Sequence, residues 1–288
     1  MKKQDLMNES ILKRRWKKFK TLKRGYYSLV TLTVLYTISF FLPILINNKA
    51  LIVKYNGSYH FPIFSGFIAG KEFGQDVPGE PRYRALQKKF SNQSQTGNWV
   101  LMPPYPYSPY EDITTKGNKM YEPPSRKHWL GTDNTGRDVF ARLCYAFNIS
   151  ISFALILTLI NYVIGVLIGG TMGYFGGKFD LIFQRLIEVW SSLPMLFVII
   201  ILSSILKPSF LLLIGIYTLV NWISMTYLMR AEFYREKSRA YVAAALSMGQ
   251  SNFKVMFKHI LPNSLVPIIT YFPFAVVAGI TALVGLDY

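Results

Sequence analysis

The 288-residue sequence predicts an all-α integral membrane protein of five spans, interrupted by an external insert that contains a small β-hairpin. Three observations predict it. Hydrophobic residues make up 51% of the chain, and they gather into runs long enough to cross a hydrocarbon layer about 30 Å thick. An arm with ten Lys or Arg among its first 25 positions precedes the first run. Between the first two runs lies a long segment in which Asn56-Gly57 suits a type I′ hairpin turn.

The basic arm, 1–25, sets the orientation, because Lys and Arg stay on the cytoplasmic side. The run 26–46 that follows exceeds the 7 to 15 residues of a cleavable signal and lacks a small-x-small cleavage site. It reads as a retained anchor with a cytoplasmic N-terminus. The segment 47–146 is then external. In it, 51–55, Asn56-Gly57 and 58–61 form the predicted hairpin. The Pro-rich stretch from Pro103 to Tyr110 must run extended, its aromatics either covering the insert, the favoured reading, or meeting a partner. Further spans are expected at 147–174, 181–206, 210–229 and 264–286, so 147–288 forms the membrane core. This topology keeps Lys178, Arg185 and the six Lys or Arg of 230–262 inside. The insert is exempt from charge counting because long translocated segments ignore that rule.

A balance of 32 Lys and Arg against 15 Asp and Glu would suggest nucleic acid in a soluble chain. Here the apolar runs make the excess charge topogenic, so the partner is the lipid bilayer and not nucleic acid. The single cysteine, Cys144, excludes an internal disulfide and any Cys-based metal cluster. No nucleophile with its base and no paired catalytic carboxylates stand out, so an enzyme is not expected. An ion-coupled secondary transporter would need internal repeats and buried ionisable groups at mid-membrane, and neither is seen.

In the second span, Gly165, Gly169, Gly173 and Gly177 recur every fourth residue, a packing seam that admits a neighbouring backbone. Gly176-Gly177-Lys178 is not a phosphate loop, since the pattern fails at Met172 and Phe179. Glu188 sits about 10 Å along a helix starting at Leu181. It either lines a path or pairs with Arg185 at the i, i+3 spacing. Asn161, Ser191, Ser192, Asn221 and Ser224 are further polar candidates, each equally able to bond a neighbouring helix.

The stretch 230–262 reads as two short helices at an angle. Tyr241, Val242, Ala243, Ala244 and Ala245 give a smooth first helix, and Gly249 ends it in a left-handed conformation. Ser251 or Asn252 caps the second. His259, Ile260 and Leu261 then lead to Pro262, which stops it. This spacing resembles the coupling loop of ABC importer permeases. In that resemblance Ala244, Ala245 and Gly249 contact a separate ATPase subunit. The family often has an acidic residue where this chain has Ala243.

His128, Trp129, Leu130, Gly131, Thr132 and Asp133, followed by Gly136, Arg137 and Asp138, resemble the signature before the second span of peptide-type permeases. A metal held by His128, Asp133 and Asp138 lacks a known ligand spacing; turn capping and an Arg137 ion pair explain the residues more simply. From Trp129 onward the chain resembles the second permease of peptide ABC importers, and the long insert brings it nearest to the microcin C (Yej-type) branch. The resemblance implies an ABC importer transmembrane domain in a bacterial inner membrane, with no cofactor of its own. Its implied partners are a second permease, two ABC ATPases or one fused tandem ATPase, and a periplasmic peptide-binding protein. In that family the motif begun by Leu286-Asp287-Tyr288 continues into a glycine-rich re-entry and another span, so the sequence is expected to be truncated. A membrane-anchored receptor or assembly subunit is the alternative reading.

Overall fold

The computed structural model describes residues 11–92, 97–111, 121–207 and 209–284. The chain divides into two compact units, Met1–Ile149 and Ser150–Tyr288. The motif at Leu286-Asp287-Tyr288 and Pro208 of the predicted external turn lie outside the described residues.

The first unit opens with α1 (Ile11–Thr21) and α2 (Lys23–Ser39). Along α2, Leu29, Leu32, Leu35 and Ile38 are all exposed, as expected of a helix solvated by hydrocarbon. The predicted run 26–46 is not one helix. Pro43 has no N–H to give the Ser39 carbonyl, so the ladder of α2 cannot run on through it. The chain turns at Phe40 and Phe41 and resumes as the short α3 (Leu42–Leu45). Ile46 then forms a parallel bridge with Tyr105.

The insert is built on β1 (Ile52–Tyr55) and β2 (Ser58–His60), antiparallel, with Val53 opposite His60. Asn56 and Gly57 have φ of 48° and 84°, the two positive values that a type I′ turn requires. A third strand, β3 (Trp99–Leu101), lies on the other side of β1, giving the order β2-β1-β3. Helix α4 (Tyr83–Asn92) covers the sheet with Tyr83, Leu86 and Phe90, spaced to share one face. These close a core with Val53, Phe73 and Val100, and Tyr55 stacks on Phe90 at 5.8 Å.

In the extended Pro-rich stretch, Tyr105 is buried with Leu42, Ile46 and Ala141, whereas Tyr110 is exposed. The Arg84 guanidinium lies 4.6 Å from the Tyr107 ring. Tyr107 thus meets the insert at Arg84, Tyr105 packs with α3 and Ala141, and Tyr110 covers neither.

Helix α5 (Val139–Phe175) starts in the first unit and continues into the second, which is otherwise α6 (Gly177–Ser191), α7 (Met195–Ile205), α8 (Phe210–Lys237), α9 (Ala240–Ser247) and α12 (Leu265–Val284), with a short irregular run between the last two. Among the described residues, α5, α8 and α12 are long and apolar enough to cross a membrane. The predicted run 181–206 is divided between α6 and α7, because Pro194 breaks the backbone ladder after Leu193.

Candidate functional site

The stretch after α8 folds into a helical hairpin. Helix α9 ends in a Schellman motif: the Gly249 N–H donates to the Leu246 carbonyl at 2.9 Å and the Gln250 N–H to the Ala245 carbonyl at 3.2 Å. Gly249 has φ 77°, the left-handed conformation that only glycine adopts cheaply. The return arm is α10 (Asn252–Lys254), one π turn (Val255–Ile260) and α11 (Leu261–Asn263). Ser251 is the N-cap of this arm by backbone position, with no side-chain cap bond. Asn252 instead accepts from the Tyr174 hydroxyl at 2.7 Å.

Pro262 does not stop the helix where the sequence placed the stop. The Ser264 N–H still donates to the Ile260 carbonyl at 3.0 Å, so helical backbone continues past the proline. The proline sits in the first turn of α11, where a missing N–H costs least.

One face of the hairpin is welded to the bundle. Val242, Ala245, Val255, Met256 and Ile260 are at most 3% exposed and pack with Met225, Met229 and Phe233 of α8. Ala245, expected beside Ala244 at the contact with a partner, is instead buried against its own chain, as is Val242. The outward face carries Ala243, Ala244 and Gly249 with Leu246, Met248 and Phe253, the last two more than 70% exposed. Helical geometry separates the neighbours Ala244 and Ala245 by about 100°.

The two arms are braced. His259 Nε2 lies 2.7 Å from Gln250 Oε1, and the Tyr241 hydroxyl donates to Glu236 at 2.9 Å. Burial, helped by that carboxylate, raises the Tyr241 phenol above its ordinary pKa. Leu261 is half-buried against the same core. His259, Tyr241 and Leu261 therefore hold the hairpin in shape rather than form its outer surface.

The hairpin hangs from α8, and α8 is locked to α5. A side chain at Gly165 would place its Cβ 2.6 Å from Met225 Cβ; at Gly169 it would overlap the Thr226 carbonyl, and at Gly173 the Arg230 carbonyl. Gly170 adds a contact with the Phe233 ring. Gly177 is not part of this seam. Helix α5 ends at Phe175, Gly176 and Gly177 both have positive φ, and nothing lies within 4 Å of a Cβ built on Gly177.

Below the seam, Arg230 makes a two-pronged bond to Asp180 of α6, Nε to Oδ1 at 2.5 Å and a terminal nitrogen to Oδ2 at 2.6 Å. This pair is not legible in the sequence. Its residues are 50 positions apart on helices with no shared periodicity, and the only signal is a charge at each apolar boundary.

In the first unit, the signature residues form the turn that starts α5. Asp138 is fully buried: its Oδ1 accepts from the Ala141 N–H at 2.8 Å, an N-cap bond, and its Oδ2 accepts from Tyr105 at 2.6 Å and from His128 Nδ1 at 2.8 Å. Burial and the Asp138 bond push the Tyr105 phenol well above its ordinary pKa. Gly131 and Gly136 both have positive φ. A Cβ on Gly131 would strike the Glu122 carbonyl, which accepts from the Thr132 N–H. Leu130 is exposed.

Asp133 organises the tight turn by accepting from the Thr135 and Arg137 N–H groups, each at 2.9 Å, and from the Arg137 and Arg142 guanidinium groups. Burial pushes its pKa up, but these bonds outweigh burial and hold it well below the ordinary 3.8. A depressed carboxylate stabilises the fold above its unfolded pKa and loses that contribution as pH falls through the folded value. Asp133→Asn is therefore expected to cost about 1–2 kcal/mol at neutral pH, with the difference from the parent shrinking below pH 3.8. Thermal unfolding in detergent at pH 7 and pH 3 checks this, and a pH-independent difference refutes it.

Glu188 pairs with Arg185 at 2.6 Å on an exposed face. Ser191 and Ser192 bond carbonyls of their own helix. Asn161, Asn221 and Ser224, by contrast, line one cavity between α5, α8 and α12.

The second unit is thus a set of apolar helices carrying a helical hairpin with one buried and one exposed face. Residues 165–288 match the family of binding-protein-dependent transport system inner membrane components. The chain belongs to this family, the membrane permeases of ABC transporters. It is 40% identical over 277 residues to the inner membrane ABC transporter permease protein YejE of Escherichia coli (strain K12), covering 95% of this chain and 80% of that protein. It is 36% identical over 304 residues to the peptidoglycan transport system permease protein YejE of Agrobacterium fabrum, covering 96% and 78%. The dipeptide transport system permease protein DppC of Bacillus subtilis shares 37% over 175 residues, or 61% of this chain and 55% of that protein.

Proposed function

We infer that this chain is the membrane-spanning subunit of an importer for peptides or peptide-like compounds, powered by ATP hydrolysis in a separate ATPase. The observation that carries this is the two-faced hairpin. Its inner face is buried in the bundle and its outer face presents small residues, Ala243, Ala244 and Gly249, beside exposed Leu246, Met248 and Phe253. Small residues admit a partner's backbone, and the exposed apolar side chains supply area that water solvates poorly. The partners on this reading are a second permease, a periplasmic peptide-binding protein, and two ABC ATPase subunits or one fused tandem ATPase. The N-terminus is cytoplasmic, so the hairpin meets the ATPase on the inner side.

The mechanism is mechanical. Closure of the ATPases pulls the hairpin, α8 moves with it, and the glycine seam carries α5 along. A ligand or motor drives such a change only through contacts that differ between the two states. With Cys144 replaced by serine, a cysteine at Ala244 or Met248 is expected to crosslink to an ATPase subunit purified with the complex. Crosslinks to lipid-embedded chains alone would refute the assignment.

Glu188 stays outside the path on this reading. Exposed ion pairs contribute little, so Glu188→Gln is expected to leave the rate of ATP-dependent peptide uptake within about twofold of the parent. A larger change in rate or peptide preference would return Glu188 to the path.

A further inference from the structure

We propose that the cavity between α5, α8 and α12 is a binding site for the main-chain amides of a transported peptide, with Asn161 as its principal acceptor. This rests on the peptide-import reading and names where the peptide is held. The cavity measures about 430 Å³, within the range that holds small ligands. Thr158, Asn161 and Tyr162 of α5, Asn221 and Ser224 of α8 and Tyr271 of α12 supply its polar atoms, and among the described residues no Lys, Arg, His, Asp or Glu lines it.

Asn161 is 6% exposed, yet its Oδ1 accepts no hydrogen bond; the buried Tyr162 hydroxyl is also unpartnered. A buried oxygen left unpaired costs stability unless something from outside donates to it. Asn221 donates one of its two side-chain N–H groups to the Tyr217 carbonyl at 2.9 Å, which leaves its oxygen and its second N–H to offer. The cavity thus presents acceptors, Asn161 Oδ1 foremost, and hydroxyl and amide donors in a neutral, largely apolar wall.

That chemistry suits a neutral group that donates an N–H to Asn161 and accepts from its neighbours. Charged side chains find no counter-ion here and would pay the full cost of desolvation. A peptide main chain repeats an uncharged N–H and C=O at every residue whatever its side chains. A site that reads only those groups tolerates varied sequences, as a carrier of many peptides requires.

The test is a double-mutant cycle on the reconstituted complex, with trialanine and its singly N-methylated forms as probes. Asn161→Leu and methylation of the donating amide are each expected to lower uptake kcat/KM about tenfold, the worth of one hydrogen bond. Together they should lower it no further, because both remove the same bond. Tyr162→Phe, which removes one oxygen and keeps the ring, goes through the same cycle and guards against a folding defect in the leucine variant. Additive losses, or no loss in either variant, overturn the inference while leaving peptide import intact. A parent complex that moves no trialanine refutes the import reading itself.

Discussion

Gly169→Leu is expected to abolish the folded bundle. A Cβ at this position already overlaps the Thr226 carbonyl and comes within 3.0 Å of the Arg230 backbone nitrogen, so no side-chain rotation relieves it. Backbone must move, and Thr226 is fully buried with nowhere to go. Overpacking typically costs about 1–3 kcal/mol when side chains can yield. A backbone clash exceeds that and approaches the whole stability of a marginal fold, about 5–15 kcal/mol. Even Gly169→Ala should cost about 1–3 kcal/mol for the same reason. Gly177→Ala is the contrast: its space is open and only the positive φ resists, at about 1 kcal/mol. Detergent-solubilised yield and unfolding temperature of the three variants check the order. Equal behaviour at 169 and 177 would show that the α5–α8 contact is not tight.

Ala244→Trp and Gly249→Leu are expected to leave the subunit folded and inserted while reducing ATP-dependent uptake tenfold or more. Ala244 is exposed, and nothing lies within 4 Å of a Cβ on Gly249, so bulk there meets no atom of this chain. The leucine at Gly249 also strains a φ of 77°, a local cost of about 1 kcal/mol that the packed inner face absorbs. Any large loss must then come from a surface that meets these positions in the assembled importer. Ala245→Trp separates the two faces, because Ala245 is 2% exposed and the variant should fail to fold. Uptake and ATPase recovery, measured together with unfolding temperature, read the difference. Full uptake in the Ala244→Trp complex would remove the outer face from the coupling path.

The β-hairpin was legible because Asn56-Gly57 is a local signal, satisfied by backbone preferences alone. Its third strand was not, since three residues at Trp99–Leu101 carry no periodicity and gain their place from pairing with β1. The seam was legible as a four-residue repeat. Its extent was not, because the repeat runs on to Gly177 while the helix ends at Phe175. The signature turn shows the same division: Gly131, Asp133 and Gly136 mark a turn locally, but the contact of Asp138 with Tyr105 crosses 33 positions.

The amino-acid sequence alone determined the apolar runs, the hairpin turn, the glycine repeat and the small residues before Gly249, because each arises from interactions within a few residues. Tertiary structure alone decided which alanine of the pair faces outward, that Arg230 clamps Asp180, and that Asn161, Asn221 and Ser224 share one cavity. Those depend on how helices far apart in the chain rotate and dock. Packing sets that rotation to a tolerance of one residue, about 100° of helix, which no local pattern specifies.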